Sequence, residues 1–228
     1  MYKRQVVYNN SVTGTAGGAG IHISDAGADG AKSGSNGVYI LGNTLDDNLT
    51  AGIYIINSDN AHIGASSIAP TPAKVISRVI TGYNGNQPIK IPATAYGVVE
   101  RNKITKTVHC IQAKNANGVD IDGSYIGTSN GAIAGTNTGD GVHLEDCTNI
   151  KIGIVAKNTI SGNPQGHGIY ATKSTGIKIY KNYIGVNLAA SAALKNGKSG
   201  IYLDATNDSE IGDGTAANRN IISGNTTD

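Results

Sequence analysis

The chain has 228 residues, among them 32 glycines and five prolines, no Phe or Trp, and 15% charged side chains at a net charge of +2. Glycine costs about 1 kcal/mol per helical site relative to alanine, so this composition excludes a helical bundle. The weak, unclustered charge argues against nucleic-acid and membrane-surface partners, and no apolar run approaches the ~18 residues of a membrane-spanning helix.

Met1–Gln5 fits no repeat position and reads as a non-native extension, which leaves 6–228 as one domain. The glycine-rich run from Gly14 to Gly20 has no helical pattern behind it and reads as a turn, not a phosphate cradle. From Gly20 onward one pattern repeats. Gly141-Val142-His143-Leu144 recurs 59 residues later (200 − 141 = 59) as Gly200-Ile201-Tyr202-Leu203, with Gly168-Ile169-Tyr170-Ala171 near the midpoint. The unit is therefore roughly 30 residues with three short strands, a solenoid period.

First strands are expected from Gly20, Gly52, near Gly85, Cys110, Gly141, Gly168 and Gly200. Second strands follow at 37–40, 61–64, 97–99, 118–121, 150–152, 176–179 and 210–211, and third strands from Asn43, Asn102, Ser124, Asn158, Asn182 and Asn220. Alternation of apolar and polar residues turns Ile21/Ile23, Ile53/Ile55, Val142/Leu144 and Ile201/Leu203 inward. About seven coils stacked ~4.8 Å apart give a rod of roughly 35 Å. A third strand opens at Asn220 and the sequence stops soon after, so the chain reads as a fragment of a longer repeat protein. The repeat blurs over 66–95, where four of the five prolines fall (Pro70, Pro72, Pro88, Pro92), and this stretch reads as an irregular coil or insertion. Cys110 and Cys147 occupy different repeat positions, so two free thiols are expected, without a disulfide or metal site.

Residues at one repeat position form columns along the rod. Asn43, Asn102, Asn158, Asn182 and Asn220 can join their amides up the stack, each satisfying a donor and an acceptor at a turn. On the outer face of the first strands stand His22, Tyr54, Gln112, His143, Tyr170 and Tyr202, a strip of flat rings suited to the apolar face of a sugar. Just before the opening residue of three successive coils come His109, Asp140 and His167, close enough to meet.

The asparagine ladder resembles that of the pectin-lyase-like proteins over nearly the whole chain, from Gly20 to Asn225. The resemblance implies an all-β, right-handed, single-stranded parallel β-helix. Gly166-His167-Gly168 is similar to the Gly-His-Gly motif of polygalacturonases, and Gly139-Asp140 stands where that family has paired aspartates. The likeness implies catalytic roles for Asp140, His167, His109 and His143, and substrate contacts for Tyr54, Gln112, His143, Tyr170 and Tyr202. The chain departs from that family in two ways. An inverting glycosidase uses two carboxyl groups and the column supplies Asp140 alone; Tyr202 and Asp204 replace the uronate-binding Arg and Lys. In a lyase or epimerase His143 or His167 would be the base and Tyr170 or Tyr202 the acid, with no cation nearby to neutralise the uronate carboxylate.

The expectation is therefore a bacterial extracellular or cell-surface β-helix module, structural or adhesin-like, in contact with polysaccharide. A polysaccharide lyase, hydrolase or epimerase fragment is the alternative. No cofactor, nucleic acid or membrane insertion is expected, and unpaired terminal strands could associate end to end.

Overall fold

The computed structural model describes residues 5–8, 10–14, 18–24, 38–46, 48, 51–56, 61–64, 80–81, 88–89, 103–105, 109–128, 131–135 and 137–227. The strands follow the expected order, coil by coil. The first coil contributes β1 (Gln5–Tyr8) and β2 (Ser11–Thr13), and the second β3 (Ile21–Ser24), β4 (Val38–Leu41) and β5 (Thr44–Asp46). The third has β6 (Ala51–Ile56) and β7 (His62–Gly64), then β8 (Ile80–Thr81) and β9 (Pro88–Ile89), and closes with β10 (Lys103–Thr105). Four regular coils follow: β11 (His109–Lys114), β12 (Asp120–Asp122) and β13 (Tyr125–Ile126); β14 (Val142–Glu145), β15 (Lys151–Ile152) and β16 (Thr159–Ile160); β17 (Ile169–Thr172), β18 (Lys178–Ile179) and β19 (Tyr183–Ile184); β20 (Ile201–Asp204), β21 (Glu210–Ile211) and β22 (Ile221–Ile222).

First, second and third strands each form their own sheet, in the orders β3-β6-β11-β14-β17-β20, β1-β4-β7-β12-β15-β18-β21 and β2-β5-β10-β13-β16-β19-β22. Every pairing within these sheets is parallel, so the chain is a parallel β-helix. The first sheet to receive the chain begins at Gln5, which pairs with Val38.

Inside, branched aliphatic side chains stack in columns: Ile53, Ile111, Val142 and Ile169; Ile63, Ile121, Ile152 and Ile179; Leu45, Ile104, Ile126, Ile160 and Ile184, all 0% exposed. Each such side chain contributes about 1.5–3 kcal/mol by leaving water. In the last coil the same positions, Ile211 and Ile222, are exposed.

The glycine that opens each first strand is explained by contact, not by backbone conformation. A Cβ on Gly168 would lie 2.6 Å from Gly200 O, 2.7 Å from Ile184 Cγ2 and 2.9 Å from Asn196 Nδ2. Gly141 faces the same arrangement, with Asn163 Nδ2 at 2.8 Å.

The asparagine ladder forms with one polarity. Asn158 Nδ2 donates to Asn182 Oδ1 (2.8 Å), and Asn182 Nδ2 donates to Asn220 Oδ1 (3.2 Å). Each Nδ2 also donates backwards to a carbonyl, Ile121 O from Asn158 and Ile152 O from Asn182, both 2.9 Å. Asn43 accepts from Asn10 in the same manner, and Asn102 lies outside the described residues. A second ladder, not foreseen from the sequence, runs beside the opening glycines. Asn137 donates to Asn163 (3.0 Å), Asn163 to Asn196 (2.8 Å) and Asn196 to Asn225 (2.9 Å).

The third coil departs from the regular repeat. The first strand expected near Gly85 and the second strand expected at 97–99 lie outside the described residues; in the sheets β6 bonds directly to β11 and β7 directly to β12. β7 ends at Gly64 and β10 begins at Lys103, which pairs with Thr44 of β5; between them in sequence, β8 and β9 pair antiparallel outside the three sheets. The irregular coil or insertion expected over 66–95 falls almost wholly outside the described residues; Pro88, which could not donate to a central ladder, lies in β9.

Candidate functional site

The first-strand sheet holds both columns in register. The Cys110 N–H donates to Asp140 O (3.1 Å) and the Gly141 N–H to His167 O (3.0 Å), which aligns His109, Asp140 and His167 on successive coils. Tyr54, Gln112, His143, Tyr170 and Tyr202 are cross-strand partners in sequence, with His22 paired to Tyr54 at the other end.

Asp140 is the hub. It is 7% exposed, and its Oδ2 lies 2.8 Å from His143 Nδ1 while Oδ1 accepts the His167 backbone N–H at 2.8 Å. Burial works to raise its pKa, but the hydrogen bonds from His143 and His167 outweigh it and hold the carboxyl below its ordinary range. An ionised carboxylate only accepts, so His143 Nδ1 is the donor of this bond. His109 is different. Its Nδ1 accepts the Asp140 backbone N–H at 3.0 Å, and burial, together with the neighbouring His143, lowers its pKa to about 4. His109 is thus a neutral imidazole at neutral pH, and its 3.5 Å approach to Asp140 Oδ2 is not an ion pair there. His167 is also lowered, first by burial, and its Nδ1 is buried without a hydrogen-bond partner.

The rings form a continuous wall. Centroids are 4.3 Å apart for His109 and His143, 4.9 Å for His143 and Tyr170, and 5.7 Å for Tyr170 and Tyr202. His167 leans on Tyr202 at 5.0 Å, and His22 on Tyr54 at 5.0 Å. The four residues expected to be catalytic are therefore gathered at one place, together with Tyr170 and Tyr202. Tyr54 and Gln112 continue the same strip toward the earlier coils.

This geometry supports two chemistries. Asp140 and His143 make a carboxylate-oriented imidazole, the arrangement of a general base. The acidic side chains within the strands of this sheet, Glu145 and Asp204, stand at the far ends of β14 and β20, bonded to Lys114 and Thr172. Asp120 and Asp122 sit on β12, in a different sheet. The second chemistry is metal ligation, which the sequence reading did not assign. His109, Asp140 and His143 each offer one ligand atom within 4.8 Å of the other two. Neutral imidazoles with one carboxylate suit Cu(II), Ni or Zn better than the oxygen-seeking Ca or Mg. Among the described residues no thiolate or thioether joins them, which disfavours Cu(I). Ligation at these atoms would displace the Asp140 amide from His109 and the proton from His143.

Sequence reasoning also passed over an outward column on the second sheet. Tyr39 stacks on His62 at 4.7 Å, His62 Nδ1 lies 3.0 Å from Asp120 Oδ2, and Lys151 Nζ is 3.5 Å from Asp120 Oδ1. The same column arithmetic that found His109 and Asp140 would have found these, since Tyr39, His62, Asp120 and Lys151 share a repeat position.

Compared with known families, residues 3–191 match the one described as periplasmic copper-binding protein (NosD). No curated protein and no solved structure matches the chain.

Proposed function

Since the chain belongs to the NosD family of periplasmic copper-binding proteins, we propose that it is a periplasmic β-helix module that holds copper through His109, Asp140 and His143. The convergence of three ligand atoms within 4.8 Å carries the reading. The donor set fits Cu(II), and two of the three side chains are held ready: Asp140 as carboxylate, His109 as neutral imidazole. His109 belongs to one coil and Asp140 and His143 to the next, so ligation would tie two coils together and couple ion binding to the stability of the stack.

The test is isothermal titration of the apo chain with Cu(II), read beside a thermal melt. Stoichiometric binding that raises the melting temperature, lost in a His109→Ala/His143→Ala double variant, is the expected outcome. Undiminished binding in the double variant would move the site elsewhere, and no binding in the wild type would end the proposal.

The ring wall supports a second reading, polysaccharide contact along Tyr54, Gln112, His143, Tyr170 and Tyr202. Its exposed end, Tyr202 at 46%, leaves a flat face open to solvent. Tyr170→Ala should weaken glycan retention on that reading without touching copper uptake.

A further inference from the structure

The residue before the asparagine that precedes each third strand sits at the corner between the second and third sheets, and on the last three coils it is a cation: Lys157 before Asn158, Lys181 before Asn182, Arg219 before Asn220. The stacking of those asparagines fixes the register, so the three cations form a column running along the solenoid axis, one per coil. Together with Tyr183, Ala216, Ala217 and Ile221 they line a groove of about 300 Å³.

Three features separate this column from a solvated basic face. First, two of its cations are held. Lys157 Nζ donates to Tyr183 Oη at 3.0 Å and lies 4.3 Å over the Tyr183 ring, while Lys181 Nζ donates to Ile154 O. Second, among the described residues the ion pairs involve other lysines and none of these three, although Asp122 on the preceding corner contributes to the field at Lys181. Third, one of the three cations takes a backbone conformation suited to glycine, while Arg219 keeps φ at −65°. Gly42 and Gly123 fill the equivalent place with φ of 64° and 58°, whereas Lys181 adopts 59°. A lysine held in the left-handed region, where two other coils use glycine, is a strained choice that the fold itself does not require.

We propose that this groove binds an anionic polysaccharide carrying one acidic group per sugar, a polyuronate or its like. Cations repeat with the coil spacing of ~4.8 Å, of the same order as the length of one pyranose unit, so successive acidic groups can meet successive coils. Lys157 occupies one face of Tyr183, the aromatic side chain lining the groove, in competition with the base stacking that single-stranded nucleic acids use. The groove lies on a different corner from the copper ligands and stands independently of them.

The experiment is fluorescence anisotropy with a labelled oligogalacturonate at low and at physiological salt, with labelled neutral dextran as control. The wild type should bind the acidic oligomer, more weakly as salt rises, and leave dextran free. Lys181→Gly should lower affinity at least tenfold while raising the melting temperature, because glycine is the relaxed residue at that corner. Lys157→Ala/Lys181→Gly/Arg219→Ala should abolish binding, and Lys157→Arg should retain it. Unchanged affinity in the folded triple variant would overturn the assignment, as would loss only in Tyr170→Ala, which would move the glycan to the ring wall. Binding to phosphatidylglycerol vesicles without binding to the oligomer would overturn the polysaccharide as occupant.

Discussion

Replacing Asn182 by alanine should remove about 4 kcal/mol of stability. The side chain is 0% exposed and makes four hydrogen bonds: Nδ2 to Ile152 O (2.9 Å) and Asn220 Oδ1 (3.2 Å), and Oδ1 from Asn158 N (3.3 Å) and Asn158 Nδ2 (2.8 Å). Alanine leaves those partners inside the stack. Each buried group stripped of its partner costs about 1–3 kcal/mol, and partial rescue by the two weaker bonds and by an entering water brings the sum to about 4. That is a large share of the ~5–15 kcal/mol typical of a folded domain. Urea unfolding followed by far-UV circular dichroism is the assay, with an unchanged slope required for the comparison. Asn182→Leu separates hydrogen bonding from cavity formation. Leucine refills the space, so it should be as damaging as alanine if the amide bonds dominate. A loss below about 1 kcal/mol in both variants would refute the ladder as a stabilising element.

Gly168→Ala should cost about 3 kcal/mol, because the new methyl meets the Gly200 carbonyl at 2.6 Å and that backbone cannot withdraw; Gly18→Ala, where nothing lies within 4 Å, is the matched control and should be near neutral in the same urea series. Asp122 should make stability fall as pH rises. Burial raises its carboxyl from 3.8 to about 6, against the lowering pull of the Val155 and Ala156 N–H groups and of Lys181 and with Asp120 adding repulsion. Its contribution is therefore complete below the unfolded value and lost as pH rises through about 6, on the order of 3 kcal/mol in total. In Asp122→Asn the slope between about pH 4 and 6 should disappear from the unfolding free energy; an unaltered slope would assign it to other groups.

The stacked architecture was legible because identical spacing recurs: the 59-residue shift between Gly141 and Gly200 leaves one register for the later coils. The first ladder was legible for the same reason. The second was not, because a loop between β19 and β20 breaks its spacing: Asn163 follows Asn158 by five residues and Asn225 follows Asn220 by five, but Asn196 follows Asn182 by 14. Strands near Gly85 and at 97–99 were expected from local apolar pattern and lie outside the described residues, while the second-strand sheet passes from β7 directly to β12. At the site, column arithmetic gathered His109, Asp140, His143 and His167. What it could not supply was the direction of each bond. That Asp140 donates its backbone N–H to His109 and accepts a hydrogen bond from His143 depends on ring orientations that no spacing encodes.

The connection between Gly64 and Lys103 is 38 residues long (103 − 64 − 1), while the matching one between Ile179 and Tyr183 is three (183 − 179 − 1). Even counted as an unconstrained chain, the longer connection adds only about 2 kcal/mol of loop-closure entropy, comparable to burying a single isoleucine. The corner between second and third strands is thus an open port in the repeat. A lineage could lengthen, exchange or delete what hangs from it while the coils above and below stay in step, so new surface can be acquired there without redesigning the rod.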